Sequence, residues 1–391
     1  MSVSHAVTDV VTNTTGQADL GRVATLATVF AQVKDPRKPK GIRHPLAAAL
    51  TALTMALLCG ARDFRQAADR VAELPQPVLQ AAGARQHPIL GIRIPPGRDT
   101  LRRLAETVDA AVMDRLICTW LTTLLDTHAG TGLALDGKTV RNTRPGTSTG
   151  LDVQLFSAMR HDSAVVVAQV KVPADTTEVT QIAALLDPID ITGMTITADA
   201  AHPSHDTAAY LLQRQAGYVF TVKGNRPALL TAITERLPAA VPDTAAATHT
   251  EHRNGHRIVR TIWTAPADDI DFPGAAQAFR IRRDTYAPDG QRVSKHILHG
   301  ITNLTCTATE IAAHVRGHWG IENKIHWIRD VLLGEDAHHA YLGNTAHTMA
   351  ALRNLALALI RLAGHTRIKQ AMERHHADKM LIPALLNAAI Q

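Results

Sequence analysis

Gly-Leu-Ala-Leu-Asp at residues 132–136 and Met-Thr-Ile-Thr-Ala-Asp at residues 194–199 are short apolar runs that each end in an acid, and their reading decides the fold. Residues 153–159 and 164–172 are alternating or β-branched runs bounded by polar turns, so together with 133–136 they predict three consecutive strands. The spacing then predicts a helix over 178–186, a strand over 194–198, a helix over 206–215, a strand over 218–222 and a helix over 227–237. Three strands in meander followed by alternating helix and strand is the order that an RNase H-like fold requires. A strand that follows a helical crossover pairs in parallel with an earlier strand. If the strand ending at Ala198 lies beside the one ending at Leu135, Asp136 and Asp199 both stand at the carboxyl edge, where open α/β sheets build their sites.

Outward from this core, residues 1–24 are polar, Thr-rich and without period, and read as a disordered tail. Residues 25–128 carry apolar residues at three- and four-residue spacing, predicting a helical domain with helices over 46–61, 64–73 and 99–125, the last capped by Asp99. The core begins at 129–237. Residues 238–303 hold short alternating segments at 258–263, 278–282 and 293–299 and read as a β-rich insertion. Helical character returns over 304–365, with a break near 334–343, and 366–391 form a helical tail. The expected fold class is α/β.

Among the 391 residues the formal net charge is +6 and the isoelectric point about 9.4, which favours a polyanionic partner. Aromatic residues are only 4%, which argues against a single-strand binding protein built on base-stacking platforms. Cys59, Cys118 and Cys306 form neither a disulfide framework nor a zinc knuckle, as fits a reducing cytoplasm. No signal peptide is legible, and the apolar stretch 46–61 falls short of the ~20 residues that span a bilayer. A membrane role is therefore not expected.

Taken alone, Asp136-Gly137 after an apolar run reads as a hairpin turn, and Asp199 as a helix cap or solvated strand end. As a pair on neighbouring parallel strands they repel one another unless a cation separates them. Residues 314–336, His-Val-Arg-Gly-His-Trp-Gly-Ile-Glu-Asn-Lys-Ile-His-Trp-Ile-Arg-Asp-Val-Leu-Leu-Gly-Glu-Asp, are the most informative segment. On a helix, positions 318, 322, 326 and 329 share a face, so Glu322 would be flanked by His318, His326 and Arg329. The plainer alternative is a set of surface ion pairs with Trp319 and Trp327 as core anchors. Asp330, Glu335 and Asp336 are rival acids that spacing does not exclude. The pairs His338-His339 and His375-His376 match no known ligand spacing and read as surface residues.

These segments, in order, resemble the DDE transposases of bacterial insertion sequences, in particular the branch of the H-repeat-associated proteins. The resemblance runs from about Asp35 to about Ala363. It rests on Asp-Pro-Arg and Gly-Ile-Arg-His-Pro-Leu (within 35–46), Leu-Asp-Gly-Lys-Thr-Val-Arg (135–141), Ser-Ala-Met (157–159), Thr-Glu-Val (177–179) and Ala-Asp-Ala (198–200). It continues through Val-Lys-Gly-Asn-Arg-Pro (222–227), His-Trp-Gly-Ile-Glu-Asn-Lys-Ile-His-Trp (318–327) and Gly-Glu-Asp (334–336). The broader group carries Tyr, Arg and Lys at seven before, four before and seven after the catalytic Glu. Here those positions hold Val315, His318 and Arg329, with Arg316 as a substitute cation.

The resemblance implies that Asp136, Asp199 and Glu322 are the catalytic, metal-binding triad, and it selects Glu322 among the C-terminal acids. It implies two Mg²⁺ ions, replaceable by Mn²⁺, that activate water and stabilise the departing 3′ oxygen before the freed 3′-OH attacks target DNA. Implied partners are the element's terminal inverted repeats, target DNA and a second copy of the chain, in the cytoplasm at the nucleoid. Expected DNA contacts are Lys138, Lys223, Asn225, Arg316, His318, Lys324 and Arg329 near the site, with Arg37, Lys38, Lys40 and Arg43 in the helical domain, where Arg98, Arg102 and Arg103 also cluster. A non-catalytic DNA-binding remnant and a nuclease without strand transfer are the alternatives.

Overall fold

The structure, a computed structural model, describes residues 20–126, 130–143 and 152–390. Most of the tail expected over 1–24 lies outside the described residues. Residues 20–24 belong instead to α1, helical over 20–31, because Val23, Leu26, Phe30 and Val33 bury an apolar stripe at helical spacing. The element over 46–61 forms α2 (Leu46–Leu58), whose residues are buried on every side, as an Ala- and Leu-rich helix without charges must be. Next come α3 (Phe64–Ala72), started by the Asp63 side chain accepting from the Gln66 N–H, and α4 (Gln76–Ala81).

The single helix expected over 99–125 is two, α5 (Arg98–Thr107) and α6 (Ala110–Thr123). Val108 is extended, and the Asp109 carboxylate accepts from the Val112 N–H, restarting the helix after the break. Asp99, expected as the cap, sits inside the first turn of α5, and Gly97 takes the cap position.

One nine-stranded mixed sheet organises the rest, in the order β3-β2-β1-β4-β5-β9-β8-β7-β6. Its strands are β1 (Gly132–Val140), β2 (Val153–Arg160), β3 (Val166–Val172), β4 (Thr195–Ala198), β5 (Gly217–Val222), β6 (Ala247–Arg253), β7 (His256–Pro266), β8 (Gln277–Tyr286) and β9 (Arg292–Thr302). β1 to β3 form an antiparallel meander, and β1, β4 and β5 run parallel, with Leu135 opposite Ala198. The helices α7 (Ile182–Leu186), α8 (His205–Gln213) and α9 (Pro227–Arg236) connect these strands, α7 following a 3₁₀ turn at Glu178–Gln181. The strands of 238–303 continue this sheet, since β9 pairs antiparallel with β5.

The junction between β5 and β9 depends on Gly300. A Cβ there would collide with the Phe220 carbonyl and the Phe279 ring. Gly300→Ala is expected to destabilise the fold by about 1–3 kcal/mol, as overpacking does, measured as a lower urea midpoint with unchanged slope.

Period-two alternation along β1 divides its side chains between two layers. Leu133 and Leu135 point into the main core, with Phe156, Ala158 and the buried face of α12 (Thr345–Leu362) among its members. Ala134 points the other way, under Ile321 and Ile325. Those two belong to a helical run made of α10 (Ala308–His318), a π-helical turn (Glu322–His326) and α11 (Trp327–Val331). The chain ends in α13 (Ile368–Ala377) and α14 (Leu381–Ala389). Among the described residues no helix is long and apolar enough to cross a membrane.

Candidate active site

Asp136 follows Ala134 by two residues, so it shares the face that the α10–α11 run covers. It is not at the end of its strand: β1 continues to Val140, and β4 is the strand that stops. Beyond Ala198 the parallel pairing ends, leaving a notch over β4 into which Asp136 and Asp199 open. A cavity of about 310 Å³ fills this notch, lined by Asp136, Asp199, Lys223, His318, Trp319 and Glu322, with Ile297 to His299 of β9 as a further wall.

The covering run meets β1 in register. Ile321 and Ile325 pack on Ala134, while Glu322 and His326, one residue on, reach Asp136. His326 Nδ1 lies 3.5 Å from both Asp136 Oδ2 and Glu322 Oε2. The π turn accounts for the alignment, its wide ring closed by the Trp327 N–H donating to the Glu322 carbonyl. Such a turn inserts one residue, rotating everything after it by about 100° relative to an α-helix. Arg329, expected beside Glu322, is thereby carried into the interior, and Asp330 takes its place over β1, 2.8 Å from Lys138 Nζ.

The acids are unequal. Burial pushes Asp136 up to about 8, reinforced by the negative charges of Glu322, Glu178 and Asp199. His326 holds Glu322 below its ordinary value against the opposing effect of burial. Asp199 is lowered to about 2, chiefly by His202, whose Nδ1 is 3.3 Å away. Burial by itself would lower His202, but Asp199 and Glu178 outweigh it and lift this histidine to about 9. His318 is pushed down to about 4 by burial and stays neutral at neutral pH.

Glu178 and His202 are functional candidates that the sequence reading missed. His202 Nε2 is 3.1 Å from Glu178, and its ring stacks on Phe156 at 5.2 Å. Glu178 occupies the space over Gly137, where any Cβ would land on its carboxylate. The Thr-Glu-Val fragment and a histidine three residues after Asp199 were the available signals, but only the fold puts them in contact.

The structure brings together Asp136, Asp199, Glu322, His318 and Lys223 at one cavity. Asn225 donates to the Ala200 carbonyl at 2.7 Å, tying the turn after β5 to the segment beyond Asp199. Arg316 and Lys324 are exposed on the covering run. Lys138 is buried and engaged by Asp330 and, at 3.6 Å, Asp336. Arg329 is not brought to the cavity: it is fully buried, 2.7 Å from Glu335, which also faces Arg353. Trp319 and Trp327, the alternative's core anchors, are 55% and 54% exposed.

In the helical domain Lys38, Lys40 and Arg43 are exposed, and Arg37 is held by Asp35 at 2.7 Å. Arg37 and Lys38 share a cleft with Arg102 and Arg103.

A family model described as the transposase DDE domain matches residues 127–359, and one described as DDE_Tnp_1-associated matches residues 27–121. A protein of Escherichia coli O157:H7 named "Putative transposase YncI" is 26% identical over 353 residues, covering 87% of this chain and 88% of that protein. One of Escherichia coli strain K12 named "H repeat-associated putative transposase YhhI" is 25% identical over 367 residues, covering 89% and 95%. A solved piggyBac transposase synaptic complex with hairpin DNA overlaps 94% of this chain and 76% of its own with a TM-score of 0.44 and 9% identity, a likeness too loose to bear on function. The first match spans the meander, the notch over β4 and the covering run together, and by that match the chain belongs to the transposase DDE domain family.

Proposed function

We propose that this chain cuts and joins the ends of an insertion element, with Asp136, Asp199 and Glu322 as the catalytic carboxylates on an RNase H-like core. One observation carries the reading: three acids far apart in sequence line a single cavity at the carboxyl end of β4. The meander β1–β2–β3 followed by two parallel strands supports the RNase H-like assignment.

The donor set fits divalent cations. Oxygen ligands suit Mg²⁺, and the burial and neighbouring negative charges that lift Asp136 to about 8 are what a nearby dication offsets. Bound there, such ions supply Lewis-acid stabilisation of the phosphoryl centre and lower the pKa of the attacking water. The chain's own groups do the positioning. Asp136 stands between Asp199 and Glu322; His202 and Glu178 hold Asp199 in place; Lys223 at the rim offers positive charge to a phosphate. His318, neutral and buried, acts as a hydrogen-bonding group rather than a cation, and its Nδ1 faces Thr197 Oγ1 at 3.4 Å. Exposed Arg316, Lys324, Lys38, Lys40 and Arg43 are proposed as sequence-independent phosphate contacts. Because two element ends must be joined, two copies are proposed to act together on DNA.

Purified protein incubated with a labelled element end and plasmid, with Mg²⁺, should give nicked ends and then end-joined plasmid. Nicking without joined product would point to a nuclease, and neither product to a DNA-binding remnant.

A further inference from the structure

We propose that His326 is a metal ligand, its Nδ1 completing with Asp136 and Glu322 a mixed nitrogen and oxygen site that takes Mn²⁺ in preference to Mg²⁺. The inference rests on the reading of the cavity as a divalent-ion site and deepens it.

Ligand atoms of Asp136, Glu322 and His326 all lie within 4.8 Å of one another. His326 is 4% exposed, so its ring cannot turn to solvent for partners. Its Nε2 has no hydrogen-bond partner, and its Nδ1 faces both carboxylates at 3.5 Å, beyond a normal hydrogen bond. A buried imidazole left this way is costly unless something else engages it. An ion between Nδ1 and the two carboxylates engages the inward nitrogen, while the ring proton stands on Nε2, which keeps no partner among the described residues.

The backbone supports the same reading. The π turn is the segment that carries both Glu322 and His326, and such turns recur at functional sites. Asp199 stands apart from this cluster, tethered to His202. Asp136 is therefore common to two unlike subsites: an oxygen-only one with Asp199, suited to Mg²⁺, and one with Glu322 and an imidazole, which shifts preference toward Mn²⁺.

The test uses the full chain without DNA, labelled with ¹⁵N-histidine, and pulsed EPR of bound Mn²⁺. A directly bound imidazole nitrogen is expected in wild type, changing from the ¹⁴N to the ¹⁵N pattern with the label. It should vanish in His326→Ala and His326→Gln and persist in His318→Ala. Competition should show the Mn²⁺-over-Mg²⁺ preference falling about tenfold or more in both His326 variants. Mn²⁺ bound by wild type through oxygen alone, or nitrogen coupling that survives in His326→Ala, overturns the role of His326 and leaves the proposed function standing. Wild type that binds no Mn²⁺ removes both. Because the label enters every histidine, the variants assign the nitrogen to His326, and circular dichroism with the near-isosteric His326→Gln keeps that assignment testable where His326→Ala does not fold.

Discussion

Asp136→Ala and Glu322→Gln are each expected to lower divalent-ion-dependent DNA cleavage on the order of a thousandfold or more, because each removes a carboxylate whose charge serves the transition state. The measurement is single-turnover cleavage of a labelled end, with circular dichroism to confirm the fold. Full cleavage by either variant would falsify the proposed catalytic triad.

Asp136 makes a second, separable prediction. Its folded pKa of about 8 stands above the ~3.9 of an unfolded aspartate. The folded state therefore binds this proton more tightly, so the group's effect on stability worsens from about pH 4 through about 8 and is level above. Asp136→Asn removes that slope, so without divalent ions the variant's Tm should exceed wild type by a margin that widens up to about pH 8. Adding Mn²⁺ should raise the wild-type Tm alone. His202, whose stabilisation is lost as pH rises through about 9, slopes the same way as Asp136, and Asp199, whose stabilisation is lost as pH falls through about 2, slopes the opposite way; both contributions remain in both proteins.

The largest effect on stability is expected at Glu335. Its carboxylate is fully buried between Arg329, at 2.7 Å, and Arg353, at 3.3 Å. Glu335→Ala leaves two guanidinium groups without their anion and should cost about 3–5 kcal/mol, read from urea denaturation. Arg329→Met should also destabilise, and combining it with Glu335→Gln should recover part of the loss, a coupling that isolated surface charges would not show. The network also anchors the adjoining Asp336, whose carboxylate accepts from the Arg141 N–H at 3.1 Å. A loss of DNA affinity in Arg329→Met without loss of stability would restore Arg329 as a phosphate contact.

Much of the sheet was legible because its strands are apolar. β1 to β5 each bury most of their residues, so alternation and β-branching marked them. β6 went unread since its residues are largely exposed, and Thr-His-Thr-Glu-His carries no apolar signal. The division of residues 99–125 was missed because apolar spacing continues across Asp109, and the carboxylate that restarts α6 reads equally well as a surface charge.

By itself the sequence determined the strands β1 to β5, that β4 lies parallel to a neighbour, and that Asp199 follows the end of β4, because period and connection rules are local properties of the chain; Asp136, read as a strand end, lies inside β1. Tertiary structure decided what meets at the cavity. His326 stays on the Glu322 face as helical spacing predicts, but one extra residue in the turn at Glu322–His326 changed the phase of everything after it, sending Arg329 to Glu335 and bringing Asp330 to Lys138. No local pattern encodes that phase: it is set by Ile321 and Ile325 seating on Ala134 and by Asp330 reaching Lys138, contacts between residues nearly two hundred positions apart.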